Sequence, residues 1–324
     1  MLSYADPPAP PALVRPAVRR AVWAWAKLLA GVAILAVLAW RVGTGGFLAA
    51  FRVIDAGTLL AACAIGLLTT VLSAWRWCLV ARGLGIKLPL ATATADYYRA
   101  QFLNVALPGG ILGDVHRAVR HGRDAGNLGL GVRAVALERF AGQLVVVAIA
   151  LAVLVALPGP SLTEFLGVPP AVLLAGLVGV VAVVVLVTGR LRRASVRWAR
   201  TVRTTLVAVR DGVLDRRIWP GIVLSSAAVL AGSLAMFLLA ARAAGATAPV
   251  SQLLPLLVLS LLAMMLPVSV GGWGPREGAC AWAFGAAGLG ASQGLTVAVV
   301  YGLSIFVASL PGAAVLLVRF LKSR

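Results

Sequence analysis

Charged residues are scarce in this chain. Asp, Glu, Lys and Arg make up 12% of its 324 residues, whereas hydrophobic residues make up 61%. Soluble globular domains average about 25% charged and about 45–50% apolar residues, so the composition excludes an ordinary soluble protein. Several apolar runs also reach about 20 residues, the length that a helix needs to cross a bilayer. The sequence therefore predicts an integral membrane protein.

Cysteine and histidine are also few, which limits the chemistry available to the chain. Cys63, Cys78 and Cys280 are scattered, without a pair at metal-ligand spacing and without a disulfide framework. The two histidines, His116 and His121, lie in a basic stretch that reads as solvated loop. Because no Asp-x-Asp pair and no Ser/His/Asp arrangement is present, we predict no catalytic residue, no metal and no cofactor.

Acidic residues number only 10, against 29 Lys and Arg, so the formal net charge is +19. A basic balance can indicate a nucleic-acid partner, but these cations cluster at the ends of apolar runs, as the positive-inside rule arranges them. We therefore expect no nucleic acid. With a cytoplasmic N-terminus, most cations, Arg76 among them, fall on the cytoplasmic side, and the other side receives only Arg41, Arg52 and Arg242. This asymmetry predicts a multi-pass protein of the plasma membrane with both termini cytoplasmic.

Eight segments are apolar enough to enter a membrane. Six have the length of a full span, at about 22–40, 57–80, 134–157, 168–188, 218–241 and 293–318. Two more, at about 92–112 and 251–288, are interrupted by Pro and Gly. The charge asymmetry holds only if each interrupted segment enters and leaves on the same side. We therefore predict an all-α membrane protein with six full transmembrane helices and two re-entrant hairpins built from broken helices.

The domain organisation follows from the same pattern. Residues 1–20 are Pro-rich and are predicted to be a disordered cytoplasmic N-terminus. Residues 21–324 are predicted to form a single polytopic membrane domain. Within it, residues 190–217 form a basic amphipathic cytoplasmic segment of the kind that lies on an anionic leaflet. We favour anchoring and topology as the role of this segment over recruitment of lipid headgroups.

The two interrupted segments match each other. "LPGGILGDVHR" (107–117) and "LPVSVGGWGPR" (266–276) both open with Leu-Pro, and in both Gly and Arg recur at the same distances from the Pro. Two copies that enter from opposite sides are typical of an inverted-topology repeat, in which broken helices near the midplane form the substrate site. The predicted helix-break residues are Pro108, Gly109, Gly110, Gly113, Pro267, Gly271, Gly272 and Gly274.

Ionised side chains inside these apolar segments require an explanation, because they are costly in a membrane. An Arg or an acid at the centre of a span costs about 2.5–3.5 kcal/mol by insertion scales, and such residues pair or line a cavity. Guanidinium groups match phosphate oxygens, and free N–H groups at half-helix N-termini favour anions. We therefore predict an anionic lipid headgroup as ligand, with structural ion pairs as the alternative. The predicted substrate-binding residues are Asp114, Arg117, Glu138, Arg139, Arg276 and Glu277.

Three motifs carry a resemblance to a known family. "LNVALPGGILGDVHRA", "LERF" and "LPVSVGGWGPREGA", in this order, resemble the lysylphosphatidylglycerol synthase transmembrane (flippase-like) family over most of the chain. The resemblance implies a polytopic protein that moves or handles anionic or polyprenyl-phosphate-linked lipids, and it adds Asn104 to the substrate-binding residues. The chain lacks the cytoplasmic aminoacyl-transferase domain of the fused members, so lysyl transfer is not expected.

The resulting expectation is a flippase-like translocator that moves an anionic phospholipid or a polyprenyl-phosphate-linked lipid between leaflets. Its partners would be membrane lipids with anionic headgroups and separate lipid-modifying enzymes or glycosyltransferases. Two alternatives stay open: a membrane-embedded enzyme or component of lipid-linked glycosyl or aminoacyl transfer, and a scaffold for such enzymes. Transport is favoured because the sequence offers no catalytic arrangement.

Overall fold

A computed structural model of the chain describes residues 45–107, 111–157, 212–213, 215–265 and 273–322. The regular elements in these ranges are α-helices: α1 (Gly45–Val53), α2 (Ala56–Gly83), α3 (Leu90–Ala106), α4 (Leu112–Asp124), α5 (Leu128–Ala156), α6 (Trp219–Ala243), α7 (Val250–Ala263), α8 (Pro275–Ala286) and α9 (Ala291–Lys322). The predicted features outside these ranges are the N-terminus 1–20, the spans 22–40 and 168–188, most of segment 190–217, and the break residues Pro108, Gly109, Gly110, Pro267, Gly271 and Gly272.

Four of the described helices are long and apolar enough to cross a membrane. They are Ala56–Gly83, Leu128–Leu154, Trp219–Ala243 and Ala291–Val318, in α2, α5, α6 and α9. Each coincides with one of the predicted spans. The prediction of an all-helical integral membrane protein is therefore confirmed for the described residues, and the total of six full spans stays a prediction.

The starts of α2 and α5 are set by side-chain caps that an apolar pattern does not reveal. At the start of α5, the Asn127 side chain accepts the Leu130 N–H (3.1 Å), which places the helix start before the predicted limit of 134. At the start of α2, Asp55 Oδ1 accepts the Thr58 N–H (2.7 Å). Such caps satisfy amide groups that have no partner within the helix.

The first interrupted segment forms two helices, α3 and α4, on either side of residues 107–111. These helices lie against each other, and the backbone of Gly113 is so close to Ala100 that a Cβ would collide with the Ala100 carbonyl. Only glycine permits this approach. The start of α4 is therefore packed against α3, and α4 continues to Asp124, past the predicted limit of 112. That both ends of this hairpin reach the same side of the membrane stays a prediction.

The second interrupted segment also forms two packed helices, α7 and α8, which flank residues 264–274. Gly274 has a φ of 107°, a value that side chains with a Cβ rarely adopt, and it leads directly into α8. Pro275 occupies the first position of α8, where its missing N–H has no cost and its fixed φ suits the helix. The break thus ends in a well-defined helix start.

Helix α9 joins the two hairpins. It packs against α8 of the second hairpin and against α3 of the first. At the α3 contact, Gly312 lies against the Tyr98 carbonyl so closely that any larger residue would collide with the backbone. The main hydrophobic core extends from α6 and α7 to α8 and α9. The two hairpins are therefore held in one packed body of helices.

Candidate functional site

Five charged side chains from α2, α4 and α5 form what we term the first cluster: Arg76, Asp114, Arg117, Glu138 and Arg139. Glu138 lies at its centre and is fully buried (0% exposed). Its Oε1 accepts from Nε (2.9 Å) and Nη2 (2.7 Å) of Arg76, and its Oε2 accepts from Nη2 of Arg117 (2.8 Å). One carboxylate thus holds two guanidinium groups.

Two uncharged groups complete the surroundings of Glu138. The Tyr97 hydroxyl donates to Glu138 Oε1 (3.0 Å), and Arg76 Nη1 donates to the Ser226 hydroxyl (3.0 Å). Gly142 on α5 leaves room for Arg76, since a Cβ there would lie 2.7 Å from Arg76 Cζ. The network therefore ties α2, α3, α4, α5 and α6 together.

Asp114 forms the more exposed side of the first cluster. Its Oδ1 accepts from Nε (3.1 Å) and Nη2 (2.9 Å) of Arg139 and lies 3.2 Å from Nη2 of Arg117. The side chains of Arg139 and Asp114 are 37% and 18% exposed, whereas those of Arg117 and Glu138 are fully buried. A ligand that approaches the cluster therefore meets Arg139 and Asp114 first.

Asn104 connects α3 to α4 across the break by two hydrogen bonds. Its Oδ1 accepts the Gly113 N–H (2.8 Å), and its Nδ2 donates to Asp114 Oδ2 (3.1 Å). The first bond satisfies an amide group in the first turn of α4, and the second orients the carboxylate that binds Arg139. Asn104 is therefore placed to position the cluster across the break.

Replacing Asn104 with Ala is expected to destabilise the protein by about 1–3 kcal/mol, because a buried amide of α4 and one carboxylate oxygen lose their partner. Hydrogen–deuterium exchange should show faster exchange in peptides that contain Gly113. Asn127→Ala, which removes a helix cap of the same chemistry at α5, is the matched control and should leave exchange at Gly113 unchanged. Equal exchange at Gly113 in the wild type and in Asn104→Ala would contradict this role.

Arg117 lies between two aromatic rings. Its Cζ is 4.5 Å from the centroid of Trp77 and 4.3 Å from that of Tyr97, a geometry in which the ring faces attract the cation. Its Nη2 binds Glu138, but Nε and Nη1 are buried and have no hydrogen-bond acceptor among the described residues. The Arg117 guanidinium is therefore held in place, and its Nε and Nη1 donors remain available to a ligand.

The first cluster is not electrically balanced. Three guanidinium groups, those of Arg76, Arg117 and Arg139, face the two carboxylates of Asp114 and Glu138. A buried charge without a counter-charge is strongly unfavourable, so such sites are stabilised by an opposite charge. Among the described residues, the cluster thus has one positive charge more than its carboxylates balance, and an anion would compensate it.

Arg276 and Glu277 form what we term the second cluster. Both are buried, and Glu277 Oε1 accepts from Nε (2.9 Å) and Nη2 of Arg276. Glu277 Oε2 accepts the Gly274 N–H (2.6 Å), so both carboxylate oxygens are used. One guanidinium faces one carboxylate, and this cluster is therefore balanced.

The two clusters share several features. The Arg276 guanidinium lies 4.9 Å from the ring centroid of Trp273 and 5.4 Å from that of Tyr301, so it also contacts one Trp and one Tyr. Gly302 on α9 leaves room for Arg276, as Gly142 on α5 does for Arg76. The two clusters are thus built alike, and the inverted repeat itself stays a prediction.

Of the predicted site residues, the structure brings together Asn104, Asp114, Arg117, Glu138 and Arg139, and it pairs Arg276 with Glu277 separately. In the described part of the chain, the hydrogen bonds of the second cluster include no residue of the first. Sequence reasoning missed Arg76, Trp77 and Tyr97. The cytoplasmic side of Arg76 stays a prediction, and its side chain is buried on α2. The available signal was a charge that interrupts an apolar run.

The groups that this site presents to a ligand are mainly hydrogen-bond donors. Within the described ranges, no group of three or more His, Cys, Asp or Glu side chains could hold a metal ion. Guanidinium groups carry hydrogen-bond donors and no acceptor, and they stay charged at physiological pH. The first cluster is therefore suited to an oxyanion rather than to a cation.

The fold and this site define a helical membrane protein with an anion-suited cluster buried between its spans. The sequence matches the family model described as the lysylphosphatidylglycerol synthase TM region over residues 24–312, which is most of the chain. The chain belongs to this family, among membrane proteins of lipid metabolism or translocation, as the motif resemblance implied. No curated protein and no solved structure matches the chain significantly.

Proposed function

We propose that the protein translocates a lipid with an anionic headgroup between leaflets and that the first cluster binds the headgroup. The observation that carries this proposal is the excess positive charge of the cluster, together with the two Arg117 nitrogens that have no hydrogen-bond partner, both among the described residues. A phosphate group offers both the negative charge and the acceptor oxygens that these groups lack. The headgroup would lie in the cluster while its acyl or prenyl chains stay in the lipid.

The headgroup reaches the cluster at its exposed edge. Arg139 and Asp114 form that edge, and Asp114 also contacts Arg117. A phosphate that takes the place of the Asp114 carboxylate at Arg139 would come within reach of Arg117. Glu138 stays bound to Arg76 and Arg117 and keeps the buried part of the cluster in place.

The second cluster has a structural role in this proposal. Its charges are balanced, and both oxygens of Glu277 accept hydrogen bonds. It is therefore less favourable for binding an anion than the first cluster is. Its hydrogen bonds favour a structural role, which we term the lock: they stabilise the start of α8 at the second break. The direct contact of Arg276 and Glu277 with substrate stays a prediction.

The orientation of the protein in the membrane is also part of this proposal. The distribution of Lys and Arg supports a plasma-membrane location with both termini in the cytoplasm. Inverted repeats commonly transport by rocking one repeat against the other around a fixed site. In this chain, rocking of the first hairpin against the body that contains α9 would expose the headgroup to the opposite leaflet.

Replacing Arg139 with Gln is expected to slow translocation at least about tenfold, because the loss of one contact to phosphate is worth about 1.4 kcal/mol or more. The measurement is headgroup accessibility of labelled phosphatidylglycerol in proteoliposomes, with phosphatidylcholine, whose zwitterionic headgroup has no net charge, as the comparison. The matched control is Arg133→Gln. Arg133 lies on the same helix but outside the first cluster; it is half-buried, and its Nε donates to the Gly129 carbonyl of its own helix.

Two results would contradict the proposal. One is a wild type that transfers no lipid faster than protein-free vesicles. The other is a well-folded Arg139→Gln that transfers phosphatidylglycerol as fast as Arg133→Gln. In the first case, a scaffold or an enzyme of lipid-linked glycosyl or aminoacyl transfer would become the better interpretation.

A further inference from the structure

Unpartnered buried polar atoms gather at the inner end of the first cluster. Five buried side-chain atoms of the described residues have no hydrogen-bond partner; one is Arg99 Nε on α3, and the other four are Arg117 Nε, Arg117 Nη1, Trp77 Nε1 and His121 Nε2. Most buried polar atoms in native proteins have a partner, because a buried polar atom without one destabilises the fold. Several such atoms in one place therefore indicate an absent ligand.

These four atoms belong to three side chains, of which Trp77 contacts the other two. The Arg117 Cζ is 4.5 Å from the Trp77 ring centroid, and the Trp77 and His121 ring centroids are 5.0 Å apart. His121 follows Arg117 by one helical turn on α4, so both side chains lie on the same face of that helix. His121 is only 5% exposed. We term these three residues the inner subsite.

The protonation state of His121 in the inner subsite can respond to the charge of a bound ligand. Burial lowers the pKa of His121, Asp124 and Asp96 oppose this to a lesser extent, and Arg117 lowers the pKa further. The imidazole is therefore neutral at pH 7 while the site is empty. A dianion beside it would favour the protonated form and add a second positive charge to the cluster.

We propose that the inner subsite binds the terminal oxygens of a phosphate monoester, and that the protein prefers lipids that end in such a group over phosphodiester lipids. A diester carries one negative charge, which the existing excess charge of the first cluster compensates. A monoester carries about −1.5 to −2 at pH 7, and its second charge needs another cation. His121 can supply that cation and Trp77 an additional donor. This inference rests on the function proposed above and names its substrate class.

The test compares two soluble short-chain lipids, dihexanoyl phosphatidic acid and dihexanoyl phosphatidylglycerol, by calorimetric titration of the purified protein at pH 8. The wild type is expected to bind the monoester about tenfold more tightly than the diester, and His121→Gln about equally. His116→Gln is the matched control, because His116 lies exposed on the same helix. It should keep the wild-type ratio.

Proton uptake gives a second measurement. Repeating the titration in two buffers of different ionisation enthalpy should show that the wild type takes up protons when it binds the monoester at pH 8, and that His121→Gln does not. If His121→Gln fails to fold, Trp77→Phe removes only the indole donor and keeps most of the ring. It is expected to weaken monoester binding selectively.

The outcomes separate this inference from the proposed function. Equal affinity of the wild type for both lipids, or an unchanged ratio in well-folded His121→Gln, would overturn the preference and leave anionic-lipid binding intact. Binding of neither lipid would overturn both proposals. Inorganic phosphate that displaces phosphatidic acid with equal affinity would overturn the assignment to a lipid and assign the subsite to free phosphate.

Discussion

Replacing Glu138 with Gln is expected to destabilise the protein by about 3–5 kcal/mol, because removing one partner of a buried ion pair leaves an uncompensated charge. The change is isosteric, so little packing is lost. Its effect is nevertheless large, since one carboxylate neutralises both Arg76 and Arg117. Those two guanidinium groups would then repel each other in a buried environment.

The measurement is the thermal midpoint in detergent, followed by size-exclusion chromatography. Adding Arg76→Met to Glu138→Gln removes one of the unpaired cations and should recover part of the loss. Asp124→Asn is the control: the Asp124 side chain is 65% exposed and lies 3.7 Å from Arg120. Its loss should change stability by less than about 1 kcal/mol. An unchanged midpoint in Glu138→Gln would refute the central role of this carboxylate.

The parts of the fold that the sequence predicted well are those with a local signal. The described spans appear as uninterrupted apolar runs, and the two breaks appear as Leu-Pro followed by glycines. The charged pair Glu138–Arg139 stood out because ionised side chains in an apolar segment are costly enough to need a partner. In each case, the pattern along a single segment contained the information.

The partners of these charges could not be predicted in the same way. Arg76 lies toward the end of its span and resembles a cytoplasmic cation, and nothing near it in sequence indicates that it binds Glu138, 62 residues away. Tyr97 and Trp77 are apolar enough to read as ordinary core residues. The extension of α4 to Asp124 was also missed, because that helix is too charged to give an apolar signal.

The two clusters also show how far a shared motif predicts a shared role. Both copies place an Arg and an acid next to a helix break, and the sequence therefore predicted one site with contributions from both. The side chains that surround each Arg differ, however. Arg76 and Arg139 add charge to the first cluster, whereas in the described part of the chain the ion pair of Arg276 is with Glu277. Net charge, rather than the motif, distinguishes the proposed binding site from the proposed lock.

This distinction leads to the second large effect. Glu277→Gln is expected to destabilise the protein by about 3–5 kcal/mol, because Arg276 is left buried without its counter-charge. The amide oxygen of the introduced glutamine can still accept the Gly274 N–H, so the helix start is kept and the loss comes mainly from the charge. Adding Arg276→Met removes that charge, and Met suits the space beside Trp273 and Tyr301. The double variant should recover most of the lost stability.

The double variant also tests the role of the second cluster. If Arg276 and Glu277 only lock the second break, the folded Arg276→Met/Glu277→Gln protein should bind phosphatidylglycerol within about twofold of the wild-type affinity, since a twofold change is only about 0.4 kcal/mol. Translocation measured in the same proteoliposomes should likewise persist. If the pair contacts the headgroup, binding and translocation should fall together while the thermal midpoint stays near that of the wild type. That second result would move the headgroup site to both hairpins and extend it beyond the first cluster.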